Sequence, residues 1–372
     1  MKKQALAMLG GLTAEQFLSE YWQKKPLLVR NALPGFTGLL SRDELLDLSC
    51  RDDVESRFVS QAGGWTIGHG PFSRAALRRK AKPWTVLIQG LNMLLPQADE
   101  MMRRFNFIPY ARLDDLMVSY ATDGGGVGPH FDSYDVFLLQ GIGKRRWRIG
   151  NQMDQTLIEG LPIRILKDFR PVHDWVLEPG DLLYLPPEWA HDGVAVGECM
   201  TYSVGFRAAP TQDLAEQFLM FLQDRVNLPD RYRDPDLKLQ KHPAKIGEPM
   251  IAQVADMLGR IRWNRDTVRD FLGSYLTEPK SHVFFEPPAK PLGEARFAAA
   301  LARRGICLDA RSQLLFADDS FYINGESVVV ARRDFDLFRQ LADDRTLPAQ
   351  KLDNAAVTLL HDWYRCGFAH LS

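Results

Sequence analysis

The sequence predicts a mixed fold that is mainly β in its first half, a double-stranded β-helix beginning at about residue 110, followed by helices and a small mixed domain. Between residues 116 and 209, short apolar segments alternate with turn sequences and show no convincing helical period. The period becomes helical at Thr211. Near the carboxyl end, an Asn324-Gly325 turn predicts a hairpin among helices. The two antiparallel sheets of a double-stranded β-helix can enclose a ligand.

Length and composition indicate a globular protein of several domains. A chain of 372 residues exceeds one ordinary core, and we predict domains at 1–210, 211–285 and 286–372. With 45% hydrophobic and 25% charged residues and a net charge of −1, the chain offers no bulk attraction to nucleic acid or membranes. The four cysteines are scattered without a Cys-x-x-Cys motif, which favours a reducing compartment such as the cytoplasm.

The amino-terminal part is predicted to hold short helices and strands. Thr13 and Gln16 have the spacing of a capping box, which predicts a helix over residues 14–25. The first twelve residues contain a short apolar run without a small-residue cleavage site, so we expect no export signal. No apolar run approaches the ~20 residues that span a bilayer. Further predicted elements are a strand over 25–30, a helix over 41–49 capped by Ser41, a strand pair within 54–67, and an apolar segment over 84–95 whose period fits helix or strand.

The stretch from Gly124 to Gly150 carries the chemistry. In an extended strand, His130 and Asp132 point the same way, because side chains alternate between faces. A second histidine, His191, follows an apolar segment and a Pro-Pro corner. Two histidines and one carboxylate are the ligands of a facial triad, which holds Fe(II) and leaves coordination positions open. Taken alone, the same residues also fit a hydrogen-bonded core histidine and a chance His-x-Asp.

An arginine on the inward face of the same region indicates a second binding site, for an anion. Alternation places Arg145 with the apolar Trp147 and Ile149, whereas the neighbouring basic residues lie on the other face. A buried guanidinium needs an anion to pair with. A dicarboxylate cosubstrate bound through a bidentate fork would supply one.

At these residues the chain resembles the JmjC-type iron and 2-oxoglutarate oxygenases. The likeness covers His130-x-Asp132, Arg145 and His191 in this order. It extends to other segments of the chain: YWQKKPLLVR, TIGHGPF, DDLMVSY, LEPGDLLYLPP and YSVGFRAAP. Among them it is similar to the bacterial ribosomal oxygenases that hydroxylate an arginine of ribosomal protein sixteen of the large subunit.

The resemblance implies a cupin-like jelly roll in which His130, Asp132 and His191 bind Fe(II). It also implies that Arg145 and Ser119 bind the distal carboxylate of 2-oxoglutarate. Thr201 stands where relatives have an asparagine, so its contact with the cosubstrate stays open. The family further implies a homodimer formed through residues 211–285. Its target would be an arginine, hydroxylated at the β-carbon with release of succinate and CO2.

Two residues beside the triad are candidates for substrate binding. A guanidinium substrate needs a carboxylate and an aromatic surface near the metal. Asp123 and Tyr134 are chosen by their position in the sequence. The triple glycine at 124–126 lacks a following lysine or helix start and is interpreted as a bend that allows close approach to the metal.

The last segment resembles a winged helix, with predicted helices over 294–304, 333–342 and 349–364. Residues 291–372 contain ten Lys and Arg against eleven Asp and Glu, and the final helix has no basic stripe. We therefore expect no direct DNA binding. A regulator built from a cupin and a winged helix remains an alternative, as does a jelly roll that only binds other proteins. Within the enzymes, histidine or lysine hydroxylation and demethylation would use the same motif.

Overall fold

The computed structural model describes residues 4–78 and 81–372. Contacts divide the chain into two compact units. The first comprises residues 4–209 with the short segments 280–284 and 309–311, and the second comprises the remainder from 210 to 372. The further division of the second unit at residue 285 stays a prediction. Of the first twelve residues, in which we expect no export signal, residues 1–3 lie outside the described residues.

The first unit is built around two antiparallel sheets. Within residues 116–209 the structure has no helix, as predicted. The helices are α1 (Ala14–Glu20), α2 (Arg42–Leu48), α3 (Arg74–Arg78) and α4 (Pro96–Arg103); the strands are β1 (Leu27–Val29), β2 (Ser56–Ser60), β3 (Thr66–His69), β4 (Trp84–Ile88), β5 (Leu113–Ala121), β6 (Tyr134–Gln140), β7 (Lys144–Gly150), β8 (His173–Leu177), β9 (Leu182–Leu185), β10 (Ala190–Val196) and β11 (Cys199–Arg207). The larger sheet has the strand order β1-β9-β6-β11-β5-β4-β2-β3, and the smaller has the order β10-β7-β8.

Local sequence signals start the first two helices. The Thr13 side chain accepts a hydrogen bond from the Gln16 backbone N–H, and the Gln16 side-chain oxygen accepts one from the Thr13 backbone N–H. Ser41 and Glu44 form the same reciprocal arrangement at α2. Both predicted caps are confirmed, although α1 ends at Glu20, earlier than the sequence period indicated.

Alternation separates two cores on the faces of the large sheet. Tyr120 and Tyr202 belong to the outer core, which the helices cover. Ser119 and Thr201 are opposite each other in the register of β5 and β11, so they point to the inner face. A second apolar cluster, which includes Leu138 of β6 and Trp147 of β7, lies between the two sheets. The inner face of this barrel is therefore the enclosed space that the sequence predicts.

The triple glycine makes a tight turn that packs against β10. A Cβ atom on Gly126 would lie 2.5 Å from the carbonyl oxygen of Gly193, closer than packing allows. The Gly124 N–H donates to the carbonyl of Ala195 at 3.0 Å. The glycines thus let the chain approach β10 two residues beyond His191, rather than the triad side chains themselves.

The second unit contains two small antiparallel sheets of three strands each. The hairpin turn is confirmed, with both Asn324 (φ 50°) and Gly325 (φ 91°) in the left-handed region. The last helix begins later than predicted, because Asp353 caps it by accepting from the Ala356 N–H at 3.0 Å. The helices are α5 (Thr211–Gln223), α6 (Glu248–Leu258), α7 (Arg265–Thr277), α8 (Glu294–Arg304), α9 (Phe335–Asp344) and α10 (Asn354–Cys366); the strands are β12 (Ile306–Leu308), β13 (Leu314–Ala317), β14 (Ser320–Ile323), β15 (Glu326–Val328), β16 (Thr346–Leu347) and β17 (Ala369–Leu371).

A search of the described helices for a membrane span finds none that combines sufficient length with a sufficiently apolar sequence.

Candidate active site

The two histidines of the predicted triad are held together by backbone pairing. His130 and His191 form an isolated antiparallel bridge. Each backbone N–H donates to the other residue's carbonyl, at 3.0 and 2.9 Å. The sequence predicted that His130 and Asp132 belong to a strand, and this is wrong, because β6 begins only at Tyr134. His130 and Asp132 lie in the extended segment before β6. The bridge to β10, rather than membership of a longer strand, fixes their position.

The three side chains converge on one point. One ligand atom from each of His130, Asp132 and His191 lies within 4.8 Å of the other two. The Nε2 atoms of His130 and His191 lie 3.7 and 3.3 Å from the two oxygens of Asp132. The two imidazole rings have centroids 4.3 Å apart. This set of nitrogen and carboxylate donors fits Fe(II) as a facial triad.

Hydrogen bonds at the far side of each ring leave the correct nitrogen available. Nδ1 of His130 lies 2.8 Å from the carbonyl oxygen of Gly128, and Nδ1 of His191 lies 2.9 Å from that of Trp189. Each carbonyl accepts a hydrogen bond from Nδ1–H, so Nε2 carries the lone pair that binds a metal. Both rings are thereby oriented toward the site before any metal is present.

The electrostatics of the site suit a divalent cation. Burial lowers the pKa of His130, and the neighbouring His191 lowers it further, so its imidazole is neutral near pH 7. Burial raises the pKa of Asp132, but its hydrogen bond and charge interaction with His191 outweigh this and hold the pKa well below its usual range. Burial lowers the pKa of His191, yet the Asp132 carboxylate raises it overall. One ionised carboxylate thus stands beside two imidazoles.

The triad is accessible from one side. The side chain of Asp132 is 42% exposed, whereas that of His191 is 5% exposed. The Asp132 side of the triad therefore faces solvent, where a substrate could approach, and His191 lies on the inner side.

Arg145 lies on the inner face, as alternation predicts. It is 5% exposed, and among the described residues its Nε and Nη2 atoms have no hydrogen-bond acceptor. Its neighbours on the outer face are paired, Arg146 with Asp174 and Arg148 with Asp192. Of these three arginines of β7, Arg145 is therefore the one that needs an anion from outside the chain.

Trp147 separates Arg145 from the triad along β7. Its ring lies 5.8 Å from the Arg145 guanidinium and 5.9 Å from the His191 ring. Gly193 makes room for it, because a Cβ atom there would lie 2.7 Å from the indole. The sequence identified Trp147 only as an apolar neighbour of Arg145. Its place between Arg145 and the metal ligands follows from the same alternation of side chains along β7.

Ser119 and Thr201 lie next to the same space. Ala121 of β5 and Ala195 of β10 belong to one buried cluster, and Ala195 is directly opposite Arg145. Ser119 therefore lies two residues before Ala121, at the neighbouring position on the inner face of β5. Its hydroxyl makes only a long hydrogen bond of 3.5 Å to the Thr201 carbonyl. The Thr201 hydroxyl already donates to Gln140 at 3.0 Å. Ser119 is thus the freer donor for a cosubstrate carboxylate.

The two substrate candidates fall in different places. Tyr134 opens β6, two residues after Asp132, and is 39% exposed at the mouth of the barrel. Asp123 accepts a hydrogen bond from the Gly197 N–H at 2.8 Å, beyond the far end of β10. Six residues of strand, roughly 20 Å, separate Gly197 from His191. The structure therefore does not bring Asp123 to the triad.

A carboxylate that the sequence reasoning missed lies beside Tyr134. Asp115 is 7% exposed and shares the inner face of β5 with Ser119. A Cβ atom on Gly205 would lie 3.8 Å from the Tyr134 ring and 3.9 Å from Oδ1 of Asp115. Asp115 was missed because the predicted strand region began at residue 116, three positions after β5 begins. The alternation of Asp115, Met117 and Ser119 was the available signal.

Comparisons with known proteins agree with this geometry. Residues 100–214 match the JmjC domain, and residues 260–370 match the ROXA-like winged helix. The chain is 34% identical to the ribosomal protein uL16 3-hydroxylase of Escherichia coli over 84% of each chain. It is 39% identical to a probable ribosomal oxygenase of Haemophilus influenzae, over 62% of this chain and 56% of that one.

Solved structures extend the similarity to nearly the whole chain. The crystal structure of E. coli YcfD superposes with a TM-score of 0.85 and 31% identity, covering 97% of this chain and 98% of that one. YcfD, a ribosomal oxygenase, has also been solved in complex with cobalt and 2-oxoglutarate, and that structure superposes with a TM-score of 0.82, 30% identity and the same coverage. This chain therefore belongs to the JmjC-type ribosomal oxygenases, which are Fe(II)- and 2-oxoglutarate-dependent dioxygenases.

Proposed function

We propose that this protein hydroxylates the β-carbon of an arginine in ribosomal protein uL16, consuming 2-oxoglutarate and releasing succinate and CO2. The observation that carries the cosubstrate assignment is the buried Arg145 guanidinium, which lies on the same inner face as the triad and has two donor nitrogens, Nε and Nη2, without an acceptor among the described residues. A dicarboxylate anchored at the metal and at Arg145 satisfies both. The choice of uL16 rests on the E. coli relative.

The chain's own residues bind and orient the reactants. His130, Asp132 and His191 would hold Fe(II), which supplies the activation of dioxygen coupled to oxidative decarboxylation of 2-oxoglutarate. Arg145 would grip the distal carboxylate through a charge-assisted fork, with Ser119 donating a further hydrogen bond. Leu138 and Leu183, buried between the two sheets, keep water away from the inner side.

Tyr134 and Asp115 would receive the target arginine at the mouth. The tyrosine ring offers a face for a guanidinium, and the carboxylate offers an acceptor for its N–H groups. Burial raises the pKa of Tyr134 to about 12, and Asp114 contributes to the increase, so its hydroxyl stays protonated at neutral pH. Burial also raises the pKa of Asp115, and the charge of Asp114 adds to this; an arriving guanidinium would stabilise the ionised form.

The substrate proposal is tested directly with purified components. Incubating the protein with Fe(II), 2-oxoglutarate and purified uL16 should add one oxygen atom to a single arginine, located by tandem mass spectrometry at the β-carbon. Omitting 2-oxoglutarate is the matched control. Oxygen on a histidine or lysine, or loss of a methyl group, would retain the enzyme class and replace the arginine assignment. No modification of uL16 would reject the proposed substrate.

We also propose that the protein forms a homodimer through the helices between residues 211 and 285. Within its own unit, Leu222 of α5 is buried, but large apolar side chains elsewhere on α5 and α6 and in the segment before α7 are exposed. Exposed apolar groups in this number are typical of an interface. They are Leu219 (64%), Met220 (61%), Met250 (44%), Ile251 (48%), Leu258 (58%) and Trp263 (57%).

Charged substitutions on α5 should separate the protomers. Leu219→Asp combined with Met220→Asp would place two carboxylates in an apolar interface, which is costly without partners. Light scattering at micromolar concentration should give twice the chain mass for the wild type and for Gln217→Asp, an exposed polar control on the same helix. The double variant should give a single chain mass. A wild-type monomer at this concentration would contradict the proposal.

A cytoplasmic location follows from the proposed substrate, since ribosomal proteins are made and assembled there. The four cysteines are all free in the structure, which suits a reducing compartment. The absence of direct DNA binding stays a prediction.

A further inference from the structure

Three aromatic rings stack beside the triad. The ring centroids of His173 and Trp175 are 4.5 Å apart with planes at 16°, and Trp189 lies 6.5 Å from His173 at 15°. Ile149 is directly opposite both His191 and His173 in the register of the small sheet. His173 therefore points to the same face as His191, two strand spacings or about 10 Å away. The stack borders the candidate active site.

The stack is partly open to solvent and carries no cation. His173 is exposed, and Trp175 and Trp189 are partly exposed. Within the described ranges, no Lys or Arg of the chain lies over either tryptophan ring, in contrast to Trp147, which has Arg145 above it. Tryptophan faces attract cations more strongly than other aromatic rings do. An external cationic group is the complement that this surface lacks.

Glu188 places a carboxylate at the same corner. It is exposed, and in the part of the chain that the structure describes its carboxylate makes no hydrogen bond or ion pair. Its backbone N–H donates to the carbonyl of Asp132 at 3.1 Å, which ties it to the triad. Its φ of 65° is left-handed, a conformation that disfavours every residue except glycine. The backbone here favours glycine, so its conformation gives no reason for a glutamate.

We propose that Glu188 and the stack of His173, Trp175 and Trp189 form a subsite for a cationic side chain of the protein substrate. The side chain would be a guanidinium or ammonium group that flanks the hydroxylated residue. The distance of about 10 Å from the triad corresponds to roughly three residues of extended chain, so the bound group is not the target itself. This inference rests on the proposed function as a protein hydroxylase.

The test measures binding without turnover. Acetylated tetra-arginine amide is titrated calorimetrically into the protein loaded with Mn(II) and 2-oxoglutarate, and the uncharged tetra-citrulline amide serves as the matched probe. Tetra-arginine should bind about tenfold more tightly. Glu188→Gln and Trp175→Leu should each lower its affinity about fivefold, whereas Glu20→Gln, an exposed glutamate on α1, should leave it unchanged.

A second variant separates binding from structure. Glu188→Gly should raise the melting temperature, because it relieves the left-handed backbone, while weakening tetra-arginine binding like Glu188→Gln. Equal affinities for the two probes, or wild-type affinity in both Glu188→Gln and Trp175→Leu, would overturn the subsite. If uL16 is not hydroxylated but Glu188→Gln and Trp175→Leu still weaken tetra-arginine binding, the proposed substrate fails and the subsite stands. If uL16 is hydroxylated normally but both variants bind tetra-arginine like the wild type, the subsite fails and the proposed substrate stands.

Discussion

Replacing His130 or Asp132 with alanine is expected to abolish 2-oxoglutarate turnover while leaving the protein folded. The site has three protein ligands, and their donor atoms lie within 4.8 Å of one another. Loss of one leaves two ligands, which cannot hold the metal in the facial arrangement. Because the metal generates the oxidising power, no residual protein chemistry replaces it.

The fold should tolerate both substitutions. The side chains of His130 and Asp132 are 22% and 42% exposed, and neither belongs to an apolar core cluster. Substitutions of this kind typically change the free energy of unfolding by less than about 1 kcal/mol. Removing Asp132 also removes the carboxylate that raises the pKa of His191, which favours the neutral form of this buried imidazole.

Two measurements check this prediction together. Succinate formation should fall to background in either variant, and titration calorimetry with Mn(II) should show loss of the binding seen for the wild type. His242→Ala, which removes an exposed histidine in the linker after α5, is the matched control and should behave as the wild type. Succinate formation near the wild-type rate in either triad variant would remove the triad from the mechanism.

Much of the fold could be predicted because its local signals are strong. Capping residues at Thr13 and Ser41, the Asn324-Gly325 turn and the alternation around Arg145 act over a few residues and are decided locally. The segment 84–95 was undecided for a physical reason. Its strand β4 is buried at every position and pairs with both β2 and β5, so no alternation distinguishes it from a buried helix.

The substrate side of the site was harder to predict because it depends on distances in space. Asp123 is close to His130 in sequence, yet the turn that holds it places it at the opposite end of β10. Asp115 is far from His130 in sequence, yet strand β5 carries it to the ring of Tyr134. The stack around His173 depends on the register of β7 with both its neighbours, which one sequence does not specify.

Replacing Arg145 should have opposite effects on the free protein and on the cosubstrate complex. Without cosubstrate, two nitrogens of its buried guanidinium, Nε and Nη2, have no acceptor among the described residues, and leaving a buried polar group unpaired costs about 1–3 kcal/mol. Arg145→Met keeps an unbranched chain and removes the charge. We therefore expect a higher melting temperature for the cosubstrate-free variant than for the wild type.

In the complex with 2-oxoglutarate, Arg145→Met should greatly weaken binding of the cosubstrate. The 2-oxoglutarate carboxylate would lose its buried cationic partner, a loss of about 3–5 kcal/mol, so the KM for 2-oxoglutarate should rise at least about a hundredfold. Arg145→Lys restores the charge without the planar fork and should recover only part of the affinity. Added 2-oxoglutarate should raise the melting temperature of the wild type and not that of Arg145→Met.

A neighbour on the same strand provides the control that distinguishes a binding role from a structural one. Arg146 faces outward, pairs with Asp174 and is 54% exposed, and such pairs contribute about 0–1 kcal/mol. Arg146→Met should therefore leave both the KM and the melting temperature of the free protein nearly unchanged. If Arg145→Met instead lowers the stability of the free protein and leaves the KM unchanged, the guanidinium has a structural partner. If it raises both the stability and the KM, the inner face of β7 is arranged for an anion that the chain itself does not supply.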